Sequence, residues 1–98
     1  MIDVYKSEVF NKWLKKLRDR QAKNSIQARI DRLVLGHFGD VKSVGGGISE
    51  MRIHCGAGYR LYFVRRGQTV IVLLCGGDKK TQSKDILIAK EMAEEMEF

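Results

Sequence analysis

Proline is absent from this 98-residue chain, and cysteine occurs only at Cys55 and Cys75. Two cysteines make no disulfide framework, so we expect free, buried thiols in a reducing cytosol. The longest apolar run, Val70–Cys75, is far shorter than the ~20 residues of a membrane span, and no signal-like stretch follows Met1. These absences exclude a disulfide scaffold and a membrane-spanning chain, and they favour a cytoplasmic location. The length predicts one domain over residues 1–98.

Acidic side chains are scarce in most of the sequence. The chain carries 18 Lys and Arg against 12 Asp and Glu, for a net charge of +6. Residues 1–84 hold 17 basic and 7 acidic side chains, whereas residues 85–98 have a net charge of −4. A small basic body indicates a polyanionic partner, and the acidic end is a candidate contact for a second partner.

The amino-terminal half predicts a short strand and two helices. Residues 2–4 alternate as in a strand, and Ser7 lies where a helix N-cap is expected. Two apolar stripes follow at helical spacing. Their members are Phe10, Trp13, Leu14 and Leu17, then Ile26, Ile30, Leu33 and Val34. We expect the second helix to begin near Asn24 or Ser25 and to end at Gly36.

The remaining sequence predicts three strands and a final helix. Glycines 45–47 indicate a loop, and side chains alternate in polarity along residues 48–54 and 59–66. Residues 69–75 are apolar on both faces, which is typical of a central strand covered on both sides. Residues 86–96 return to helical spacing. The predicted order is β-α-α-β-β-β-α, an α+β fold with a two-helix hairpin and a C-terminal helix on a small, mostly antiparallel sheet.

Two predicted strands place polar side chains side by side. Arg52 and His54 share one face of their strand, and Arg60 and Tyr62 would be their cross-strand neighbours if the turn lies at residues 55–58. Arginine binds phosphate with paired hydrogen bonds, and tyrosine offers a stacking surface for an unpaired base. The alternative is an ordinary solvated outer face of a half-buried sheet.

The segment Gly76–Gln82 lies between the apolar strand and the final helix. The tandem glycines allow a tight turn at the end of the strand, and two lysines follow them. Backbone N–H groups at a helix start favour a bound anion. No Walker sequence occurs, so a nucleoside triphosphate site is not expected. The alternative is a plain strand-to-helix connection with Thr81 or Ser83 as N-cap.

Three segments together resemble the RelE/ParE/HigB toxin superfamily, and in particular its HigB-like branch of addiction module killer proteins. They are Glu50–Ile53, Gly58–Tyr62 and Leu73–Gln82, the last followed by Asp85 and Ile86. The resemblance covers essentially the whole chain, and the Gly-Gly-Asp-Lys-Lys-Thr-Gln turn is close to diagnostic of that branch. It implies a RelE-like microbial RNase fold and the toxin half of a type II toxin–antitoxin pair.

That resemblance implies ribosome-dependent cleavage of mRNA by attack of the ribose 2′-OH on the adjacent phosphate, without a metal or other cofactor. Arg60 matches the family's Gly-Tyr-Arg arginine and is assigned to the scissile phosphate, with Arg52 sharing that role. Lys79 matches a basic position after the last strand, as an acid or phosphate clamp, and His54 is the natural proton-transfer residue. Four further residues are expected to contact RNA: Lys80, Tyr62, Gln82 and Arg65.

The resemblance leaves the target open between two activities. The ParE branch shares the fold but poisons DNA gyrase and does not cleave RNA, and fold alone does not decide between them. Residues 81–88 lack the catalytic tyrosine that some relatives have at the start of the final helix. The expected partners are the ribosome, mRNA and a cognate antitoxin, a helix-turn-helix protein encoded next door, and the acidic run Glu91–Glu97 is a candidate antitoxin contact. A basic nucleic-acid-binding module without activity is the third alternative.

Overall fold

The computed structural model describes residues 1–96, which form one five-stranded sheet and three helices. The strands are β1 (Asp3–Lys6), β2 (Val41–Gly45), β3 (Ile48–Ile53), β4 (Tyr59–Arg66) and β5 (Val70–Gly77). The helices are α1 (Glu8–Lys16), α2 (Arg20–Val34) and α3 (Gln82–Glu95).

The strands lie in the order β1-β5-β4-β3-β2. Only the β1–β5 pair is parallel, so the sheet is mostly antiparallel, as predicted. β5 lies inside the sheet and contacts α1 and α3, which confirms the prediction of a strand covered on both sides. The observed architecture is the α+β fold expected from the sequence.

Each face of the sheet has its own apolar core. Alternation along β4 sends Leu61 and Phe63 into one core beneath α1 and α2, together with Ile26 and Leu33 of α2. Tyr62 and Val64 enter the other core with Ala89 of α3. The polar side chains Glu50, Arg52 and Arg60 lie on this second face, next to the start of α3.

The first helix begins as predicted and the second does not. Ser7 is the N-cap of α1, and its Oγ accepts a hydrogen bond from the Phe10 N–H at 2.9 Å. The expected start of α2 at Asn24 or Ser25 is wrong, because Asp19 caps the helix by accepting from the Ala22 N–H at 3.0 Å. The earlier start brings the α1–α2 connection against the β3–β4 turn, where the Tyr59 hydroxyl lies 3.4 Å from Asp19 Oδ2.

The sheet has one strand more than expected. Residues 41–45, which were not recognised as a strand, form edge strand β2, and Gly46 and Gly47 make the turn into β3. β5 also continues through Gly76 and Gly77, which we expected to end it. Both changes enlarge the sheet at the end where the polar residues gather.

The two cysteine thiols are free, in agreement with the sequence analysis. Cys55 is half-buried, and burial raises the pKa of Cys75 to about 12, so this thiol is protonated at neutral pH. None of the helices formed by residues 1–96 has the length and apolar character that crossing a lipid bilayer demands.

Candidate functional site

Two arginines meet at the end of the β3–β4 hairpin. The register pairs Arg52 directly with Arg60, which confirms the predicted cross-strand neighbours. Both side chains pair with Glu50, which also binds Gln82 of α3, so both guanidinium groups lie on the α3 side of the sheet. Two positive charges are therefore held together beside the start of a helix.

A buried carboxylate lies between the two guanidinium groups. Glu50 has no exposed surface, and its Oε1 accepts from Arg52 Nε at 3.1 Å. Its Oε2 accepts from Gln82 Nε2 at 2.8 Å and from the Tyr62 hydroxyl at 3.2 Å. Arg60 Nε lies 3.7 Å from the same oxygen. Four side chains from β3, β4 and α3 thus converge on one residue.

Glu50 is ionised in the folded protein. Burial by itself raises the pKa of this carboxyl, but the hydrogen bonds from Gln82, Arg52 and Tyr62 and the charge of Arg60 outweigh it. The pKa of Glu50 is therefore held below its usual value. Because its single negative charge offsets one of the two guanidinium charges, the cluster keeps a net positive charge for an anion.

Arg60 is fixed by its own turn and is largely covered. Its side chain is 12% exposed, and Nη1 donates to the Gly58 carbonyl at 2.7 Å. Gly58 has a φ of +75°, a left-handed conformation that favours glycine. Within residues 1–96, Arg60 Nε is the one buried side-chain nitrogen or oxygen without a hydrogen bond. Arg60 is therefore not part of an ordinary solvated face, and Arg52, at 33%, is the more accessible of the two.

Lys79 lies next to Arg60. A Cβ placed on Gly58 would be 3.4 Å from Arg60 Nη1 and 3.7 Å from the Lys79 Cβ, so both residues approach this glycine. The Lys79 N–H also donates to the Ala57 carbonyl at 3.4 Å, which joins the loop after β5 to the β3–β4 turn. Lys79 and Lys80 are both exposed, and their ammonium groups add positive charge beside the arginine pair.

The tandem glycines admit two side chains against the sheet. A Cβ on Gly76 would overlap the Trp13 ring, which packs on the α1–α2 core as predicted for this residue. A Cβ on Gly77 would overlap the carboxylate of Asp85 and the hydroxyl of Thr81. The glycines are therefore required by close packing, which is a structural reason for the motif that its sequence did not show.

Asp78 organises the turn into α3. Its Oδ1 accepts from the backbone N–H groups of Lys80 at 2.9 Å and Thr81 at 3.2 Å. These two donors are thus occupied within the turn. Thr81 stands at the N-cap position of α3, as predicted, but its side chain makes no capping hydrogen bond, and its hydroxyl donates to Asp85 Oδ2 at 2.5 Å. The expected contact of an anion with this helix start stays a prediction.

His54 follows β3 and is paired with a carboxylate. Its side chain is 73% exposed, and Nε2 lies 2.6 Å from Asp40 Oδ2. Asp40 in turn accepts the Arg52 N–H at 2.9 Å through its backbone carbonyl. Through Asp40, the imidazole is therefore tied to the same end of β3 as Arg52.

Two of the expected RNA contacts do not fit the structure. Tyr62 has no exposed surface, because α3 covers its ring, so it cannot stack on a base. Its hydroxyl donates a hydrogen bond to Glu50 instead. Arg65 lies five residues from Arg60, about 17 Å along β4. Its guanidinium stacks on the Phe38 ring with 5.1 Å to the centroid, on the opposite face of the sheet. Gln82 is placed in the site, but its amide is bound to Glu50.

Sequence reasoning missed two acidic residues at this site. Glu50 was given no role, although alternation along the strand places it on the same face as Arg52, two residues away. Asp40 carried no signal, because the strand that follows it was not recognised and its partner His54 lies 14 residues away. The arrangement joins three cations (Arg52, Arg60 and Lys79), two carboxylates and an imidazole, which suits the binding and cleavage of a phosphodiester.

Comparison with known proteins supplies two matches. Residues 12–95 match the family model described as Phage derived protein Gp49-like (DUF891). A protein of Haemophilus influenzae (strain ATCC 51907 / DSM 11121 / KW20 / Rd), described as an uncharacterized protein, is 50% identical over 95 residues. The aligned region covers 97% of this chain and 96% of that protein, so the two are similar along their whole lengths.

Proposed function

Because this chain belongs to the phage-derived Gp49-like family, a family of toxin–antitoxin type toxins, we propose that it is a ribosome-dependent mRNA endoribonuclease that stops translation. The observation that carries the proposal is the Arg52–Arg60 pair over Glu50. Two fixed guanidinium groups with a surplus positive charge form a site complementary to a phosphodiester whose charge grows during cleavage.

The reaction that suits this site is an internal transfer of the phosphoryl group. The ribose 2′-oxygen attacks the adjacent phosphorus and loses its proton to a base, the bond to the 5′-oxygen breaks, and that oxygen takes up a proton. The products are a 2′,3′-cyclic phosphate and a 5′-hydroxyl. Arg52 and Arg60 bind the non-bridging oxygens and offset the charge of the phosphorane.

The remaining roles follow from position. His54 is the group suited to accept the 2′-OH proton, since an imidazole exchanges protons near neutral pH. Lys79, beside Arg60, is placed to protonate the leaving 5′-oxygen or to bind its phosphate. Lys80 is exposed on the same turn and is assigned to the RNA backbone. Gln82 acts on Arg52 through Glu50 rather than on RNA directly.

A toxin of this family implies an antitoxin partner. We assign to that role a helix-turn-helix protein encoded beside this one, which suppresses the toxin until it is degraded. Glu91, Glu94 and Glu95 are exposed on α3 and remain candidates for that contact, whereas Glu97 lies outside the described residues. The ribosome is the second proposed partner, and the basic residues of the chain attract its RNA.

The proposal is tested by expressing the toxin in growing cells and mapping the 5′ ends of translated messages by primer extension. Wild-type protein is expected to stop growth and to cut messages within their translated regions. Arg52→Ala removes the more accessible guanidinium and is expected to abolish both effects. Arg32→Ala removes the same charge from α2, on the opposite face of the sheet, and is expected to remain toxic.

Intact messages during growth arrest would contradict the proposal. Trapped gyrase–DNA complexes with undamaged translation would assign the chain to the gyrase-poisoning activity instead. If expression causes no growth arrest, the alternative that remains is a nucleic-acid-binding module without activity. Because Arg52 holds Glu50, each variant is checked for folding by its melting temperature, and Arg52→Lys supplies a positive charge without the paired hydrogen bonds.

A further inference from the structure

The structure places an Asp–His pair at the edge of the arginine cluster. His54 Nε2 and Asp40 Oδ2 are 2.6 Å apart, which is short for a nitrogen–oxygen hydrogen bond. Asp40 directly precedes β2, and His54 directly follows β3, so the pair joins the ends of two neighbouring strands. The contact joins residues that are 14 positions apart in sequence.

The position of Asp40 is set by its surroundings rather than by His54. Its carbonyl accepts the Arg52 N–H at 2.9 Å, and the segment before it is held by Arg29. Arg29 comes from α2 and donates to the Phe38 carbonyl at 3.2 Å and to the Arg52 carbonyl at 2.6 Å. A carboxylate with a fixed backbone is suited to orient a histidine that has little packing of its own.

Asp40 is negatively charged in the folded protein. The hydrogen bond with His54 lowers the pKa of Asp40 most, the charges of His54, Arg52 and Arg29 lower it further, and slight burial opposes them. The charged groups around the pair are thus two guanidinium groups, one from β3 and one from α2.

We propose that Asp40 is a positioning residue that prepares His54 to act as the base toward the 2′-OH, an inference that rests on the proposed function. In the neutral imidazole, a bond from Nε2–H to Asp40 leaves the lone pair of Nδ1 free. Nδ1 then takes the proton of the 2′-OH as the oxygen bonds to phosphorus and the 5′-oxygen leaves with a proton from Lys79. Asp40 stabilises the imidazolium that forms, and proton exchange with water restores both groups.

A purely structural pair would behave differently. Both side chains are largely exposed, and exposed ion pairs contribute little to stability. The pair is therefore tested by catalysis and by its coupling, with stability as a control. The design is a double-mutant cycle of Asp40→Asn and His54→Ala, measured as single-turnover cleavage of mRNA on purified ribosomes.

His54→Ala is expected to slow cleavage by about 100-fold or more, the usual contribution of a general base. Asp40→Asn is expected to slow it about tenfold, as loss of a histidine's hydrogen-bond partner typically does. In Asp40→Asn, the cleavage rate at a saturating concentration of ribosomes is expected to fall. The ribosome concentration that gives half of this rate is expected to stay constant. In the His54→Ala background, Asp40→Asn is expected to have no further effect.

Asp31→Asn is the matched control, since Asp31 is exposed on α2 and accepts from Gln27 at 2.9 Å. It is expected to cleave like wild type. Equal rates for Asp40→Asn and wild type would overturn the inference, as would additive losses in the double variant. If wild type itself fails to cleave on ribosomes, the proposed function fails, which is a distinct result.

Discussion

At the scale of single residues, Glu50 explains how two arginines occupy opposing positions on neighbouring strands. Like charges directly across a strand pair repel each other. Glu50 lies between Arg52 and Arg60 and carries a negative charge inside the protein, so that repulsion becomes attraction to a common partner. A buried charge with fixed donors also holds each guanidinium in one orientation, which a phosphate site requires.

Glu50→Gln removes that charge and keeps the shape of the side chain. The free energy of unfolding at pH 7 is expected to fall by roughly 3 kcal/mol, because two guanidinium groups lose their buried partner. Cleavage is expected to be lost as well, even where the variant is folded. Chemical unfolding followed by far-ultraviolet circular dichroism measures the first effect, and wild-type stability in Glu50→Gln would contradict the account.

The same variant makes a prediction about pH. The pKa of Glu50 is lower in the folded chain than its ordinary value of 4.5, so the unfolded chain binds the proton first as pH falls. The stability that Glu50 contributes is complete above about pH 4.5 and is lost below it as pH falls through the folded-state pKa. The difference in unfolding free energy between wild type and Glu50→Gln is therefore expected to shrink from pH 5 to pH 3. A constant difference would contradict the assigned ionisation.

Residue identity predicted some members of the site and missed others for physical reasons. Alternation placed Arg52 opposite Arg60, because strand geometry alone fixes which side chains share a face. It could not show that α3 covers Tyr62, since burial depends on where a helix far along the chain packs. Arg65 was assigned to RNA by its charge, and only the structure shows its contact with Phe38.

At the scale of elements, the turn from β5 into α3 lets two helices pack closely against the sheet. Gly76 admits the ring of Trp13 from α1, and Gly77 admits Asp85 from the first turn of α3. Asp85 is buried, and burial raises the pKa of its carboxyl. The glycines thus fix both helices relative to the strand that precedes Lys79.

Gly77→Ala and Gly76→Ala separate these two contacts. Each added methyl overlaps a packed side chain, and each is expected to lower the free energy of unfolding by about 1–3 kcal/mol. Trp13 is the one tryptophan of the chain, so Gly76→Ala is expected to change the intrinsic fluorescence. Gly77→Ala is expected to leave that fluorescence nearly unchanged, because it displaces α3 on the other face.

Gly36→Ala serves as the control for an alanine introduced without overlap. Its φ of +89° carries a backbone cost of about 1 kcal/mol, but no atom lies within 4 Å of the new methyl. Fluorescence like that of wild type is expected. Unchanged fluorescence in Gly76→Ala, or a shift of equal size in all three variants, would contradict the assigned packing.

The elements that the sequence predicted well are those with long apolar patterns. β4 and β5 were found because each carries several consecutive core residues. β2 was missed because it is a short edge strand that sends only Val41 to one core and Val44 to the other. The start of α2 was missed because its first turn contributes only the small side chain of Ala22 to the core.

At the scale of the whole molecule, the basic side chains lie in two separate regions. The net charge of +6 first indicated only some polyanion. The structure gathers Arg52, Arg60 and Lys79 at one end of the sheet, while α1 and the start of α2 present exposed basic side chains elsewhere. The latter are Lys12, Lys15, Lys16, Arg18 and Arg20. A separate basic surface suits attachment to ribosomal RNA. Under the proposed function, cleavage is expected on ribosomes and not on free mRNA.

The chemistry of the RNA ends made on purified ribosomes tests the central claim most directly. Toxin is mixed with ribosomes that hold a defined mRNA, and the same mRNA without ribosomes is the control. The account predicts a single class of cut on the ribosome, with a 2′,3′-cyclic phosphate upstream and a 5′-hydroxyl downstream. An uncut message, or ends bearing a 3′-hydroxyl and a 5′-phosphate, would contradict it.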